Sequence, residues 1–195
     1  MTAAPSTVAD VELLDQRSGS GQRAVWYRAR GAALTVASVL LAVAYLLALR
    51  DPTVGTLHDD GIYLVTARAL AEGQGYRIIS LPDSPPQTKY PILFPWLLSL
   101  VWRLVPTFPD NLPWLRLVPL LSGAAWLWLS RRLLLSCGAS RATASVVVLL
   151  TALSPWTFYL GTSLLSETLF AALATGAVLA LTVSDTSLRL TSVRW

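Results

Sequence analysis

Long apolar runs constrain the fold of this chain more than any other feature. The first covers the 19 residues from Gly31 to Leu49, and about 20 apolar residues cross the hydrocarbon core of a bilayer as one helix. Across the whole chain 54% of the residues are hydrophobic and 13% are charged, whereas soluble domains usually carry about 25% charged residues. A water-soluble core of ordinary size cannot hide this much apolar surface. The sequence therefore predicts an all-α, polytopic membrane protein.

The basic residues lie at the ends of the apolar runs and give the chain a formal net charge of +4. Because they do not form one patch, this charge does not indicate nucleic-acid binding. Arg23, Arg28 and Arg30 precede the first run, which predicts a cytoplasmic N-terminus and an uncleaved anchor in preference to a signal peptide. A single cysteine, Cys137, excludes an intrachain disulfide.

Three further apolar runs predict three more crossings, at about Leu115–Leu135, Ala142–Leu160 and Thr168–Val183. Residues 1–22 are polar and small, so we expect a disordered cytoplasmic tail there. Residues 184–195 form a second predicted cytoplasmic tail. The predicted transmembrane module lies between the two tails and covers residues 23–183.

A shorter apolar segment, Pro91–Leu104, decides between four and five crossings. Its 14 residues are few for a complete crossing. Arg131, Arg132 and Arg141 cluster between the second and third predicted crossings, and the positive-inside rule places them in the cytoplasm only if Pro91–Leu104 does not cross. We therefore expect four crossings, with Pro91–Leu104 as one of two interfacial helices in the first outer loop. Five crossings are the alternative.

Acidic residues occur at two positions on the predicted outer face. The segment LHDDGIYLVTARALAEGQGYR begins with His58, Asp59 and Asp60 and continues as the other interfacial helix, which stops at glycines. Glu167 follows the third crossing, and an ionisable residue in an apolar run indicates a functional site. Structural alternatives exist: Asp59 could cap a helix that begins near Gly61, while Asp60 and Glu167 could favour the positive ends of helix dipoles. His58 is a candidate metal ligand.

Four segments, in order, resemble the N-terminal half of the GT-C glycosyltransferases, membrane enzymes that use polyprenyl-phosphate sugars. The likeness is greatest to the protein-mannosyltransferase and aminoarabinose-transferase group. The first segment is the acidic pair with its helix, HDDGIYLVTARALAEGQGYR. The others are KYPILFPWLLSLVWRL, LRLVPLLSGAAWLWLSRRL and SPWTFYLGTSLLSETLF. The resemblance covers roughly residues 30 to 183, and relative to the family the chain is truncated.

The resemblance implies that a sugar passes from a polyprenyl-phosphate-linked donor to an acceptor hydroxyl, with inversion, at the outward face of the plasma (inner) membrane. Asp59 would be the general base, and Asp60 stands where the family often has Glu. Glu167 would bind the acceptor, the sugar or a cation. An arginine or a divalent metal would offset the charge of the leaving lipid phosphate.

Two other classes of protein remain open from the sequence. A transporter-like helical bundle would use Glu167 to couple protons, but it would need further polar groups inside the spans, which are nearly free of them. A non-catalytic membrane scaffold or assembly subunit would leave Asp59 and Glu167 apart, or would use them only to cap helices. The relative position of these two acids therefore discriminates between the classes.

Overall fold

The computed structural model describes residues 28, 31–33 and 35–192, with side chains up to residue 182. The described residues form helices and connecting loops and contain no strand. The all-helical part of the prediction is therefore confirmed. Residues 1–22, where a disordered tail was predicted, lie outside the described residues. At the other end the last helix continues to Ser192, into the segment where the second tail was predicted.

Seven helices follow one another along the described part of the chain. They are α1 (Gly31–Ala48), α2 (Asp59–Ala71), α3 (Leu93–Leu104), α4 (Leu112–Ser136), α5 (Arg141–Ala152), α6 (Pro155–Thr162) and α7 (Glu167–Ser192).

Two or three of these helical segments are candidate membrane spans. Within the described residues, α1 and α4 are each long and apolar enough to cross a bilayer. The predicted crossing Ala142–Leu160 is instead two helices, α5 and α6, which are bent by 65° and together form a broken span or a re-entrant loop. The break has a local cause, because Pro155 has no amide hydrogen and holds Ser154 in an extended conformation.

Helix α3 is too short to cross the membrane alone. Its 12 residues extend for about 18 Å, at about 1.5 Å per residue, against about 30 Å of hydrocarbon. Phe94, Leu98 and Trp102 recur every four residues and form its buried face, where α3 packs on α2. Trp96 and Leu104 are exposed. A helix that is apolar on both faces is compatible with the predicted interfacial position.

The chain divides into two compact units, Met1–Val43 and Ala44–Trp195. In the first unit, the described part of α1 has exposed apolar side chains, among them Val36, Val39 and Leu40. Apolar side chains that face outward along a span are expected where lipid surrounds the helix.

In the second unit, α4 and α7 pack side by side and run in the same direction. Near the start of α7, Thr168 lies against Gly123 and donates a hydrogen bond to the Pro119 carbonyl at 3.0 Å. Two turns later, Gly176 lies against Leu129. Both helices thus advance together, so their first residues lie at the same end of this unit. We call it the acidic end, because α2 with Asp59 and Asp60 packs there.

Candidate functional site

The chain makes a strained turn at His58, directly before the acidic pair. His58 has φ 63° and ψ −50°, and the Asp59 amide donates to the Leu57 carbonyl at 2.6 Å. This geometry is that of a γ-turn, which is rare and strained for a residue other than glycine. The His58 side chain is exposed and makes no capping hydrogen bond to α2. Such strain persists only where the surrounding structure holds it.

Asp60 is the acid that holds this turn. It is 4% exposed, and its carboxylate accepts hydrogen bonds from the amides of Gly55 at 2.7 Å, Leu57 at 3.3 Å and Gly61 at 2.9 Å. Helix α2 begins at Asp59 and not near Gly61. The interpretation of Asp59 as a helix cap is therefore wrong, and the structural role belongs to its neighbour.

The Asp59 carboxylate, unlike that of Asp60, accepts its hydrogen bond from a side chain and not from a backbone amide. The Tyr90 hydroxyl donates a short hydrogen bond to Asp59 Oδ1, and Lys89 Nζ donates to the Tyr90 oxygen at 2.7 Å. This contact with Tyr90 raises the pKa of the exposed Lys89 ammonium. Among the described residues, Asp59 Oδ2 has no hydrogen-bond partner. One carboxylate oxygen is therefore fixed, and the other can receive a proton.

The backbone of Tyr90 is itself positioned by a second tyrosine. The Tyr76 hydroxyl donates to the Tyr90 carbonyl at 3.0 Å. Burial raises the pKa of Tyr76 to about 12, so this hydroxyl stays protonated and able to donate at any physiological pH. The loop between α2 and α3 is thereby held where Tyr90 reaches Asp59.

Tyr63 lies between the two acidic positions. Its ring meets the Tyr90 ring edge to face at 5.2 Å, and its hydroxyl is 2.9 Å from the Ser166 hydroxyl, beside Glu167. Burial raises the pKa of Tyr63, the hydrogen bond with Ser166 lowers it, and the charges of Glu167 and Asp59 raise it further. Tyr63 therefore contacts both Tyr90, which binds Asp59, and Ser166, which precedes Glu167.

Glu167 is the first residue of α7 and lies at the wall of a cavity of about 310 Å³. Its place at a helix start agrees with the helix-dipole alternative as well as with a binding role. Asp59 is not part of this wall. Helices α3 and α7 supply most of the lining. Apart from Glu167 and Ser166, the lining residues are apolar: Pro91, Leu93, Phe94, Leu169, Phe170 and Leu173.

Arg116 is a buried cation at the acidic end. It is 4% exposed and donates to the Ala48 carbonyl at 2.8 Å and to the Thr53 carbonyl. Its Nε is buried without a partner among the described residues. With Asp51 and Asp60, Arg116 lines a second cavity, of about 140 Å³. The guanidinium therefore ties the last turn of α1 and the following loop to α4.

Four residues of this site were not predicted from the sequence, namely Tyr63, Lys89, Tyr90 and Arg116. Tyr63 had a signal, because it follows Asp59 by four residues and so shares a face of α2. Lys89 is the only lysine in the chain, and Arg116 is an arginine near the start of an apolar span. Nothing in the spacing relates Tyr90 to Asp59.

The described residues do not assemble a complete set of protein ligands for a divalent metal. Within the described part of the chain, no group of three or more His, Cys, Asp or Glu side chains is placed to hold a metal ion. Both oxygens of Asp60 are already bonded to backbone amides, and one oxygen of Asp59 is bonded to Tyr90. The candidate ligand His58 lies exposed at its turn.

Comparisons with protein-family models, curated proteins and solved structures find no match to this chain. Its function therefore has to be inferred from the chemistry of the site itself. The likeness to GT-C glycosyltransferases stays a proposal that rests on the four sequence segments.

Proposed function

We propose that this chain is the N-terminal membrane module of a GT-C-type glycosyltransferase. It would transfer a sugar from a polyprenyl-phosphate-linked donor to an acceptor hydroxyl at the outer face of the plasma (inner) membrane. The observation that carries the proposal is the state of Asp59, whose carboxylate is fixed through one oxygen by Tyr90 and has the other oxygen free.

This arrangement suits a general base. A base must be oriented and must keep an acceptor oxygen within hydrogen-bond reach of the proton that it takes. The acceptor oxygen would attack the anomeric carbon while its proton passes to Asp59 Oδ2. The bond from that carbon to the phosphate oxygen would break, and the polyprenyl phosphate would leave with the electron pair. Attack from the face opposite the phosphate accounts for inversion.

The cavity between α3 and α7 supports a lipid-borne donor. Its walls are largely apolar and come from α3 and from the apolar start of α7, as lateral entry of an isoprenoid chain from the bilayer would require. Glu167 and Ser166 supply the polar groups at this cavity. We assign Glu167 to hydroxyl groups of the sugar or the acceptor, which a carboxylate can bind as an acceptor.

Lys89 fits the leaving phosphate better than Arg116 does. The Arg116 guanidinium already donates to two backbone carbonyls and faces two carboxylates. Lys89 is exposed, carries a raised pKa, and is one hydrogen bond away from the residue that holds Asp59. A cation at this position would offset the charge that develops on the phosphate.

The parallel packing of α4 and α7 supports the proposed sidedness. Two parallel neighbouring spans need a return crossing between them. The 12 residues of α5 and the 8 of α6 are about 18 Å and about 12 Å long at about 1.5 Å per residue, and across their 65° bend they reach about 25 Å, most of the hydrocarbon thickness. We therefore take the bent α5–α6 pair as a span. With α1, this would make four crossings, with Glu167 and α2 on one face of the membrane and Arg131 and Arg132 on the other.

The test is transfer by the complete enzyme that contains this module, in membranes that supply acceptors. Polyprenyl-phosphate mannose and polyprenyl-phosphate glucose, each radiolabelled in the sugar, are supplied, and the label that leaves the lipid fraction is measured. Asp59→Asn keeps the size and removes the base, so transfer should fall by roughly 10²-fold or more with an unchanged melting temperature. Asp83→Asn, in an exposed loop, is the matched control and should transfer normally.

Two results would reject the proposal. Near-normal transfer by Asp59→Asn would end the general-base role. Absence of transfer from either donor by the complete enzyme that contains the wild-type module would instead favour the membrane scaffold. The transporter-like alternative has less support, because Glu167 is the exposed first residue of α7 and does not lie in the middle of a helix.

A further inference from the structure

A second charged cluster lies at the end of α4 that is far from the acidic end. From Leu112 to Arg131 the helix extends for about 29 Å, at about 1.5 Å per residue, which is close to the thickness of the hydrocarbon core. If the first residue of α4 marks one boundary of the membrane, Arg131 and Arg132 mark the other. The Arg132 guanidinium lies over the Trp128 ring at 5.6 Å. Trp128 is 60% exposed, as expected for a tryptophan at the interface.

A third arginine joins this cluster from the next helix. Arg131 Nε donates to the Ser145 hydroxyl at 3.4 Å, and Ser145 follows Arg141 by four residues on α5. Residues four apart in a helix share a face. Arg131 therefore contacts the face of α5 on which Arg141 also lies, so all three arginines are at the same junction of α4 and α5.

Among the side chains that the structure describes, no acidic group pairs with these three positive charges. The sequence contains no Asp or Glu between Asn111 and Ser166. In the part of the chain that the structure describes, the ion pair that is found lies elsewhere, between Arg68 and Glu72. The first turn of α5 also presents the positive end of its helix dipole beside Arg141. An excess of positive charge at a membrane boundary attracts anions.

We propose that Arg131, Arg132 and Arg141 bind the headgroup phosphate of an anionic phospholipid, with Trp128 packed at the level of its glycerol backbone. Guanidinium groups bind phosphate through paired, charge-assisted hydrogen bonds. Each arginine near a membrane surface contributes roughly a fivefold gain in affinity for anionic lipid. Together the three should prefer an anionic over a zwitterionic headgroup by about 100-fold. This inference is independent of the proposed transfer reaction.

Binding can be measured by native mass spectrometry on the full chain in neutral detergent. Dioctanoyl phosphatidylglycerol is titrated against dioctanoyl phosphatidylcholine, and glycerol 3-phosphate and inorganic phosphate are added as soluble competitors. The wild type should retain phosphatidylglycerol about 100-fold better. Replacing all three arginines by glutamine should remove nearly all of this preference, and Arg132→Gln alone should lower it about fivefold. If the triple variant does not fold, the exposed Arg132 still tests the proposal.

The matched control replaces three exposed arginines near the acidic end, Arg50, Arg77 and Arg103, by glutamine. It removes the same charge and should keep the preference for phosphatidylglycerol. Equal retention of the two lipids by the wild type would overturn the proposal, as would an unchanged preference in the triple variant. Competition by glycerol 3-phosphate or phosphate as effective as that of the lipid would show a site for soluble phosphate, and would overturn the assignment to a lipid.

Discussion

Substitution by Asn should lower the stability of the fold at Asp60 and leave it unchanged at the adjacent Asp59. One Asp60 oxygen accepts from the Gly55 amide and the other from two further amides. Asparagine has one acceptor oxygen, so in either orientation its NH2 group would face an amide donor. Asp59 accepts from the Tyr90 hydroxyl, and Asn at this position keeps an oxygen for that bond. Asp60→Asn should therefore destabilise the fold, whereas Asp59→Asn should not.

The loss in free energy of unfolding for Asp60→Asn follows from the hydrogen bonds that the substitution removes. In its better orientation, Asn at position 60 keeps two of the three amide bonds and loses the one to Gly55, at 2.7 Å. A hydrogen bond to a charged group contributes about 1.5–3 kcal/mol, and the remaining two weaken when their acceptor becomes neutral. Because Gly55 is exposed and its amide can bond to water, we expect a total loss of about 2–3 kcal/mol.

For a chain of 150–250 residues, that loss corresponds to a fall in melting temperature of about 5–10 °C. The wild type, Asp59→Asn, Asp60→Asn and the exposed control Asp83→Asn are melted in one detergent and assayed for transfer. Asp59→Asn should lose transfer and keep its melting temperature, since surface substitutions stay within about 0.5 kcal/mol. Equal melting temperatures for the two Asn variants would refute the structural role of Asp60.

Two further predictions concern topology and the position of the base. In a Cys137→Ser background, cysteines introduced at Ser140 and Asp83 should be labelled by an impermeant maleimide from opposite sides of the membrane; labelling from the same side would contradict four crossings. Tyr90→Phe keeps the ring and removes the hydroxyl that donates to Asp59, so transfer should fall about tenfold, the effect of losing roughly 1.4 kcal/mol of orientation, while the melting temperature stays near that of the wild type. A rate equal to the wild type would show that Tyr90 does not position the base.

The fold class was predictable because the bilayer imposes a simple rule on length and composition. The run at Gly31–Leu49 corresponds to α1, and Leu115–Leu135 lies within α4. The break between α5 and α6 was not predicted, since mean hydropathy over Ala142–Leu160 does not register a single proline. Pro155 was the available signal, because proline removes a helical hydrogen bond and restricts the residue before it.

The sequence identified the acidic pair Asp59 and Asp60 as part of the site, but it did not show which of the two has the structural role. Asp59 and Asp60 are the same residue type one position apart, so composition and spacing cannot decide which one holds the loop. The path of the backbone decides it, because the turn at His58 directs the Asp60 side chain back to Gly55. The partner of Asp59 is Tyr90, 31 positions away, a distance at which no local pattern carries information.

The two buried charges at the acidic end, Arg116 and Asp60, both form hydrogen bonds with the backbone of the segment that follows α1. The loop after α1 follows a candidate membrane span, and unpaired backbone groups are costly wherever water is excluded. Arg116 donates to the carbonyls of Ala48, at the end of α1, and Thr53, in the loop. Asp60 accepts from two amides of the loop, those of Gly55 and Leu57. Each charge would be costly to bury alone, but both reach the same cavity and offset one another. Because these hydrogen bonds fix the loop, they keep His58 in its strained turn. That turn then sets the direction of the Asp59 side chain. The geometry of the proposed base is therefore fixed by residues that need not touch a substrate.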